Sequence, residues 1–163
     1  MDNIYLKVLF DWLHIMATIA WFGGMFTNMI LVRPTILKVL DPPTAGKFMN
    51  ELMKKTRIVV YVSIAVLFIS GIPMKIINEN YVSIINFSNN WQIVTFVKHV
   101  FVGILTLLAI FNFEILMPKA QKSAANGPSD ELNKLKKSQE IIGKLSFLSA
   151  MIIIILSAIM LYI

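Results

Sequence analysis

Residues 8–32 read VLFDWLHIMATIAWFGGMFTNMILV, a long apolar run that contains one carboxylate, Asp11, and no Lys or Arg. A transmembrane helix needs roughly 20 consecutive, mostly apolar residues to cross about 30 Å of hydrocarbon. The stretch is therefore long enough and apolar enough to span a membrane. It is too long for the apolar core of a cleaved signal peptide, has an acidic start and lacks a small-residue cleavage site after it.

Three further stretches have the same character, at residues 58–77, 93–117 and 141–163. Hydrophobic residues make up 57% of the 163 residues and charged residues only 15%. Soluble domains have about 45–50% apolar and about 25% charged residues. The sequence therefore predicts one all-α domain over residues 1–163, an integral membrane four-helix bundle in the lipid bilayer.

The basic residues predict the orientation of the chain. Twelve of the 15 Lys and Arg residues lie in the segments that follow the first and third spans or open the fourth. Such segments stay in the cytoplasm. We therefore expect a multi-pass protein of the cell membrane with both termini outside. Because these residues flank the spans, the net charge of +6 indicates anionic lipid headgroups and not nucleic acid.

The connecting segments contain helix signals of their own. After Asp41-Pro42-Pro43, Thr44 is predicted to cap a short amphipathic helix over residues 44–55, on the inner membrane surface. Ser129 is predicted to cap a helix that begins near Asp130 and continues into the fourth span. Gly71 and Pro73 predict a kink in the second span.

Polar residues follow one face of the first span, at steps of three and four. The members of this polar stripe are Asp11, His14, Thr18, Trp21, Met25 and Asn28. The opposite face carries Leu9, Ile15, Ile19 and Phe26, which can contact lipid. Gly23-Gly24 is expected to allow another helix to approach closely.

The two histidines of the chain, His14 and His99, are predicted to lie at the same depth. Each follows the outer end of its span by roughly 9 Å along the helix. Two imidazoles at the same depth can bind a metal ion together, or they can occupy both axial positions of a haem iron. Lys98 could contact a propionate or a substrate carboxylate. Since Lys98 and His99 are about 100° apart on a helix, the pattern leaves open which of them faces His14. The alternative is that these side chains only make hydrogen bonds within the membrane.

Other residue types limit the kinds of metal site and catalytic site that the chain can form. The thioethers of Met25 and Met29, four residues apart, suit Cu(I), although most methionines in such a chain serve packing. The chain has no cysteine, which excludes disulfides and thiolate metal sites. It has no phosphate-binding glycine loop, no nucleophile elbow and no His-Glu-x-x-His motif, so no catalytic residue is predicted.

The stretch Trp12-Leu13-His14-Ile15 through Ala20-Trp21-Phe22-Gly23-Gly24-Met25, followed by Pro34, resembles the first helix of the CopD-type membrane family. Lys98 with Asn112 and Pro118, and Lys136-Lys137 with Glu140 and Gly143, resemble that family's third and last helices. The resemblance implies copper uptake or resistance, often beside a periplasmic copper-binding partner. His14, Trp91 and Lys98 are also similar to residues of the HemJ-type protoporphyrinogen oxidases, which implies haem b and porphyrin oxidation.

The first expectation is a CopD-like protein that handles copper between the first and third helices, near the outer face. Its candidate ligands are His14, His99, Asp11, Met25 and Met29. The first alternative is a haem b protein, either an electron carrier or a porphyrin oxidase, with His14, His99 and Lys98 around the cofactor. The second is an accessory subunit of a larger membrane complex. Because four helices form a thin wall around a large ligand, a copper or haem role favours a homodimer or a larger complex.

Overall fold

The computed structural model describes residues 4–83, 85 and 87–163. This part of the chain is helical over almost its whole length and contains no strand, so the predicted all-α class is confirmed. Four of its helices are long and apolar enough to cross a membrane, in agreement with the predicted four-helix membrane bundle. They are α1 (Ile4–Val39), α2 (Pro42–Ile77), α3 (Asn90–Ala125) and α4 (Asp130–Ile159).

The helices are longer than the apolar stretches that predicted them. α1, α2 and α3 have 36 residues each and α4 has 30. At 1.5 Å per residue they measure about 54 Å and about 45 Å, whereas the hydrocarbon layer is about 30 Å thick. The basic segments expected as loops are therefore largely helical, and only Leu40 and Asp41 separate α1 from α2.

Residues 44–55 are helical, but they belong to α2 and do not form a separate amphipathic helix. The prediction of Thr44 as the N-cap is wrong. Asp41 is the N-cap, and its carboxylate accepts a hydrogen bond from the backbone N–H of Thr44 at 3.1 Å. The reason is that Pro42 and Pro43 fit the first turn, where their missing N–H groups would have no helical partner.

The turn between α3 and α4 follows the predicted pattern. Gly127 has a φ of +94°, a conformation that side chains with a Cβ disfavour. The hydroxyl of Ser129 accepts a hydrogen bond from the backbone N–H of Leu132 at 3.1 Å. The prediction that Ser129 caps a helix beginning at Asp130 is therefore confirmed.

Two of the helices contain π-helical turns. These turns cover Ile19–Gly23 and Asn28–Val32 in α1, and Phe111–Leu116 in α3. The α-helical parts are Ile4–Thr18, Gly24–Thr27 and Arg33–Val39 in α1, and Asn90–Ile110 and Met117–Ala125 in α3. A π turn holds more residues than an α turn, so it rotates the following side chains around the helix axis. Such turns are rare and frequently lie at functional sites.

The chain divides into two compact units, Met1–Gln92 and Ile93–Ile163. In the first unit α1 packs against α2, and in the second the end of α3 packs against α4. The prediction of a single domain over residues 1–163 stays a prediction. Each unit has small buried polar side chains at helix contacts, such as Ser63 and Ser70 in the first and Ser146 and Ser149 in the second.

We predict that Ser129→Ala lowers the free energy of unfolding by about 1 kcal/mol, because the first turn of α4 loses its side-chain cap. Ser129→Asp should restore stability, since aspartate is also a good N-cap. The measurement is denaturant unfolding of the helical circular dichroism in detergent. Ser157→Ala is the matched control, because this exposed hydroxyl donates within α4 to the carbonyl of Ile153. Equal losses in the two alanine variants would contradict the prediction.

The cap at Asp41 predicts a pH dependence. The N–H of Thr44 holds the pKa of this carboxyl below its ordinary value. Its contribution to stability is present above the unfolded-state pKa of about 3.9 and is lost as the pH falls through the lower folded-state pKa. Wild type should therefore lose its thermal-stability advantage over Asp41→Asn, which keeps an acceptor but does not titrate, below about pH 4. A difference that stays constant with pH would refute the assignment.

Candidate functional site

His14 lies where α1 contacts α2. Its Nδ1 is 2.9 Å from the hydroxyl oxygen of Ser70. Ser70 has an exposed fraction of 0%, so this contact is shielded from the surroundings. A Cβ added to the next residue, Gly71, would lie 3.2 Å from Cε1 of His14 and 3.5 Å from its Nδ1. Two consecutive residues of α2 therefore contact one edge of the imidazole ring.

The close approach predicted for Gly23-Gly24 occurs at Gly71 instead. Among the described residues, a Cβ at Gly23 or Gly24 would meet no atom within 4 Å. Gly24 lies on an exposed side of α1, and the approach expected at this pair is not seen among the described residues. Any side chain at Gly71, by contrast, would press on the ring of His14.

The rest of the polar stripe follows the predicted division of α1. Trp21 is buried, and His14, Thr18 and Met25 are half-buried. The predicted lipid face is exposed, at Leu9, Ile15, Ile19 and Phe26. The hydroxyl of Thr18 donates to the carbonyl oxygen of His14 at 2.8 Å, directly before the first π-helical turn. The backbone at His14 is thus tied to the point where α1 leaves regular α-helical geometry.

His99 is anchored within α3. Its Nδ1 is 2.6 Å from the carbonyl oxygen of Thr95. A carbonyl oxygen can only accept, so Nδ1 carries the hydrogen and the neutral ring has its lone pair at Nε2. Thr95, with an exposed fraction of 1%, donates its hydroxyl to Sδ of Met160 at 3.8 Å and so connects α3 with the residue that follows α4. The side chain of His99 is exposed and that of Lys98 is half-buried.

Asp11 lies one helical turn before His14 and is exposed. It lines a cleft of about 370 Å³ between the start of α1 and the end of α2. The other lining residues are Lys7, Phe10, Met74, Ile77, Asn78, Glu79 and Asn80. The lining thus combines two carboxylates and one ammonium group with the apolar side chains of Phe10, Met74 and Ile77.

The methionine pair is separate from this region. Met25 follows His14 by about 16 Å along the axis of α1, and Met29 is farther still. Met29 is exposed and Met25 half-buried. The first unit therefore does not bring the two thioethers to the imidazole, and the proposed Cu(I) pair would be a second position along α1.

Within residues 4–83, 85 and 87–163, no group of three or more His, Asp or Glu side chains is placed to hold a metal ion. His14 belongs to the first unit and His99 to the second. The predicted pairing of the two histidines, with or without Lys98, stays a prediction.

Sequence reasoning missed the roles of Ser70 and Gly71. The seven-residue spacing of Ser63 and Ser70 is in itself typical of helix packing, and Gly71 was associated with the kink at Pro73. A serine followed by glycine inside an apolar span was the available signal, because such a pair leaves room for a ring and offers it a hydroxyl.

In the described part of the chain, four buried side-chain polar atoms have no hydrogen-bond partner: Asn28 Oδ1, Gln92 Nε2, Thr106 Oγ1 and Asn112 Oδ1.

Comparison with known proteins gives a family without an assigned activity. Residues 16–129 match the family described as a domain of unknown function, DUF4149. This match contains Ser70, Gly71, Lys98 and His99 and begins two residues after His14. No curated protein and no solved structure matches the chain. Because the match covers more than half of its residues, the chain belongs to the DUF4149 family.

Proposed function

We propose that the protein handles copper in the cell membrane, with the imidazoles of His14 and His99 as its candidate metal ligands. One observation carries the proposal: the Nδ1 atom of each ring is within hydrogen-bond distance of a protein oxygen. Metal-binding histidines are characteristically oriented in this way, with one ring nitrogen held by the protein and the other directed to the metal. Imidazole is a favourable ligand for copper.

The charge around the cleft supports an approach of cations from the outer side. Asp11 and Glu79 line it together with a single basic residue, Lys7. Two carboxylates and one ammonium group leave a net negative charge, which raises the local concentration of cations. Asp11 is one turn from His14 on the same helix, so it is the cleft residue nearest in sequence to the imidazole.

Haem b is the second candidate, and the same two rings favour it. A porphyrin supplies four ligands to iron, so two histidines complete the coordination of a six-coordinate haem. Lys98 is half-buried in the apolar part of α3, where a positive charge would stabilise a propionate. On this alternative the protein is an electron carrier or a porphyrin oxidase.

We infer that both termini face outward and that the α1–α2 and α3–α4 turns lie in the cytoplasm. The Lys and Arg residues support this orientation, because they concentrate at the ends of the helices next to these two turns. The cleft with Asp11 lies at the opposite ends of α1 and α2 and would then face the outside.

The orientation can be tested by cysteine labelling, because the chain has no cysteine of its own. Asn80 lies in the α2–α3 segment and Asn126 in the α3–α4 turn, and both are exposed. With a membrane-impermeant maleimide on intact cells, Asn80→Cys should react. Asn126→Cys should react only after permeabilisation. The reverse pattern would contradict the orientation.

For the metal, we predict that protein purified from copper-supplied cells contains stoichiometric copper and that His14→Ala loses most of it. Ile15→Ala is the matched control, because this neighbouring side chain is 56% exposed on the opposite face of α1. Elemental analysis and the absorption spectrum, oxidised and reduced, should be recorded on the same samples. Unchanged copper in His14→Ala would refute the copper proposal. A Soret band with sharp reduced α and β bands, lost in His14→Ala, would establish the haem alternative.

A further inference from the structure

We propose that Ser70 and Gly71 are positioning residues that hold His14 as the Nδ1–H tautomer and so make Nε2 its ligating atom. The consequence for metal or haem binding rests on the proposed function. The tautomer itself does not, because it is a property of the metal-free protein.

The first step concerns the proton of Ser70. Its hydroxyl oxygen is 2.7 Å from the carbonyl oxygen of Val66, one turn earlier in α2. At this distance two oxygens need a hydrogen between them, because two bare acceptors would repel each other. A carbonyl has no hydrogen to give, so the hydroxyl of Ser70 donates to Val66. This bond to the preceding turn is typical of serine inside a helix.

The second step assigns the hydrogen of His14. A serine hydroxyl has one hydrogen and two lone pairs. Since that hydrogen is committed to Val66, the 2.9 Å contact with His14 must have Nδ1–H as the donor and the hydroxyl oxygen as the acceptor. In the neutral ring the lone pair is then at Nε2.

The third step concerns the orientation of the ring. Cε1, the carbon between the two ring nitrogens, is the ring atom nearest to the position that a Cβ on Gly71 would take, at 3.2 Å. The absence of a side chain lets the ring come close enough to reach Ser70. If the ring turned over, a carbon atom would replace Nδ1 opposite the hydroxyl and the hydrogen bond would be lost. Ser70 thus fixes which nitrogen faces α2, and Gly71 permits the distance at which it does so.

The test is ¹⁵N NMR of histidine-labelled, metal-free protein in detergent or bicelles near neutral pH. The chain has two histidines, so a spectrum of His14→Ala assigns both rings. We expect protonated Nδ1 and unprotonated Nε2 at His14 in wild type. The opposite tautomer would overturn the proposal, and this outcome requires no variant other than the one used for assignment.

Variants then separate positioning from general packing. Ser70→Ala should convert His14 to a mixture of tautomers or to the Nε2–H form, and Ser70→Thr, which keeps a hydroxyl, should restore the wild-type tautomer. Ser63→Ala is the matched control, because Ser63 is also buried on α2, seven residues earlier. An unchanged His14 tautomer in Ser70→Ala would overturn the proposal.

The effect on ligand binding is a separate readout. If wild type binds copper or haem, Ser70→Ala should weaken the affinity about 10- to 100-fold, as loss of a group that orients a metal ligand does elsewhere. Gly71→Ala should weaken it as well by displacing the ring, while Gly143→Ala, at an open position of α4, should not. A protein that binds neither ligand would refute the proposed function and leave the NMR assignment of the tautomer intact.

Discussion

The interior of a bilayer offers no water to polar groups, so each of them must find a partner within the protein. This constraint explains the helical backbone and also the behaviour of the polar side chains inside the spans. Thr18 donates to the carbonyl of His14, Ser70 to that of Val66, and His99 to that of Thr95. In each case the side chain returns its hydrogen to the preceding turn of its own helix. The hydrogens of these three side chains are thereby satisfied within their own helices.

The same constraint determines which neutral tautomer of His14 is stable. An imidazole N–H in hydrocarbon without an acceptor costs several kcal/mol, whereas hydrogen bonds between membrane helices contribute only about 0.6 kcal/mol on average. The contact between His14 and Ser70 is therefore a small source of stability. Its larger effect is selective, because the alternative tautomer would direct its N–H away from the hydroxyl and leave two acceptors facing each other. A ring held in one tautomer is suited to ligate a metal through one defined nitrogen.

Much of the fold could be predicted from the sequence because lipid imposes a simple composition over a fixed length. The four spans and the Ser129 cap each follow from a local pattern. The full length of the helices does not, since hydropathy reports where lipid is tolerated and not where a helix ends. Asp41 takes the capping role expected of Thr44 because two prolines fit inside the first turn. The π-helical turns of α1 could not be predicted either, because the sequence analysis assumed a regular α-helix with 100° of rotation per residue. The stripe from His14 to Trp21 nevertheless lies on the less exposed side of α1.

The candidate site was harder to predict because its decisive contact joins distant parts of the chain. His14 could be selected as an ionisable side chain within a span, but nothing near it in sequence indicates Ser70, 56 residues away. The glycine that permits the contact was equally hidden, since Gly23, Gly24 and Gly71 have the same local signature of a small residue in an apolar run. Only Gly71 faces an aromatic ring whose hydrogen needs an acceptor. A glycine inside a span thus acquires its role from the polar residue opposite it, and this depends on helix pairing and rotation, which residue spacing alone leaves undetermined.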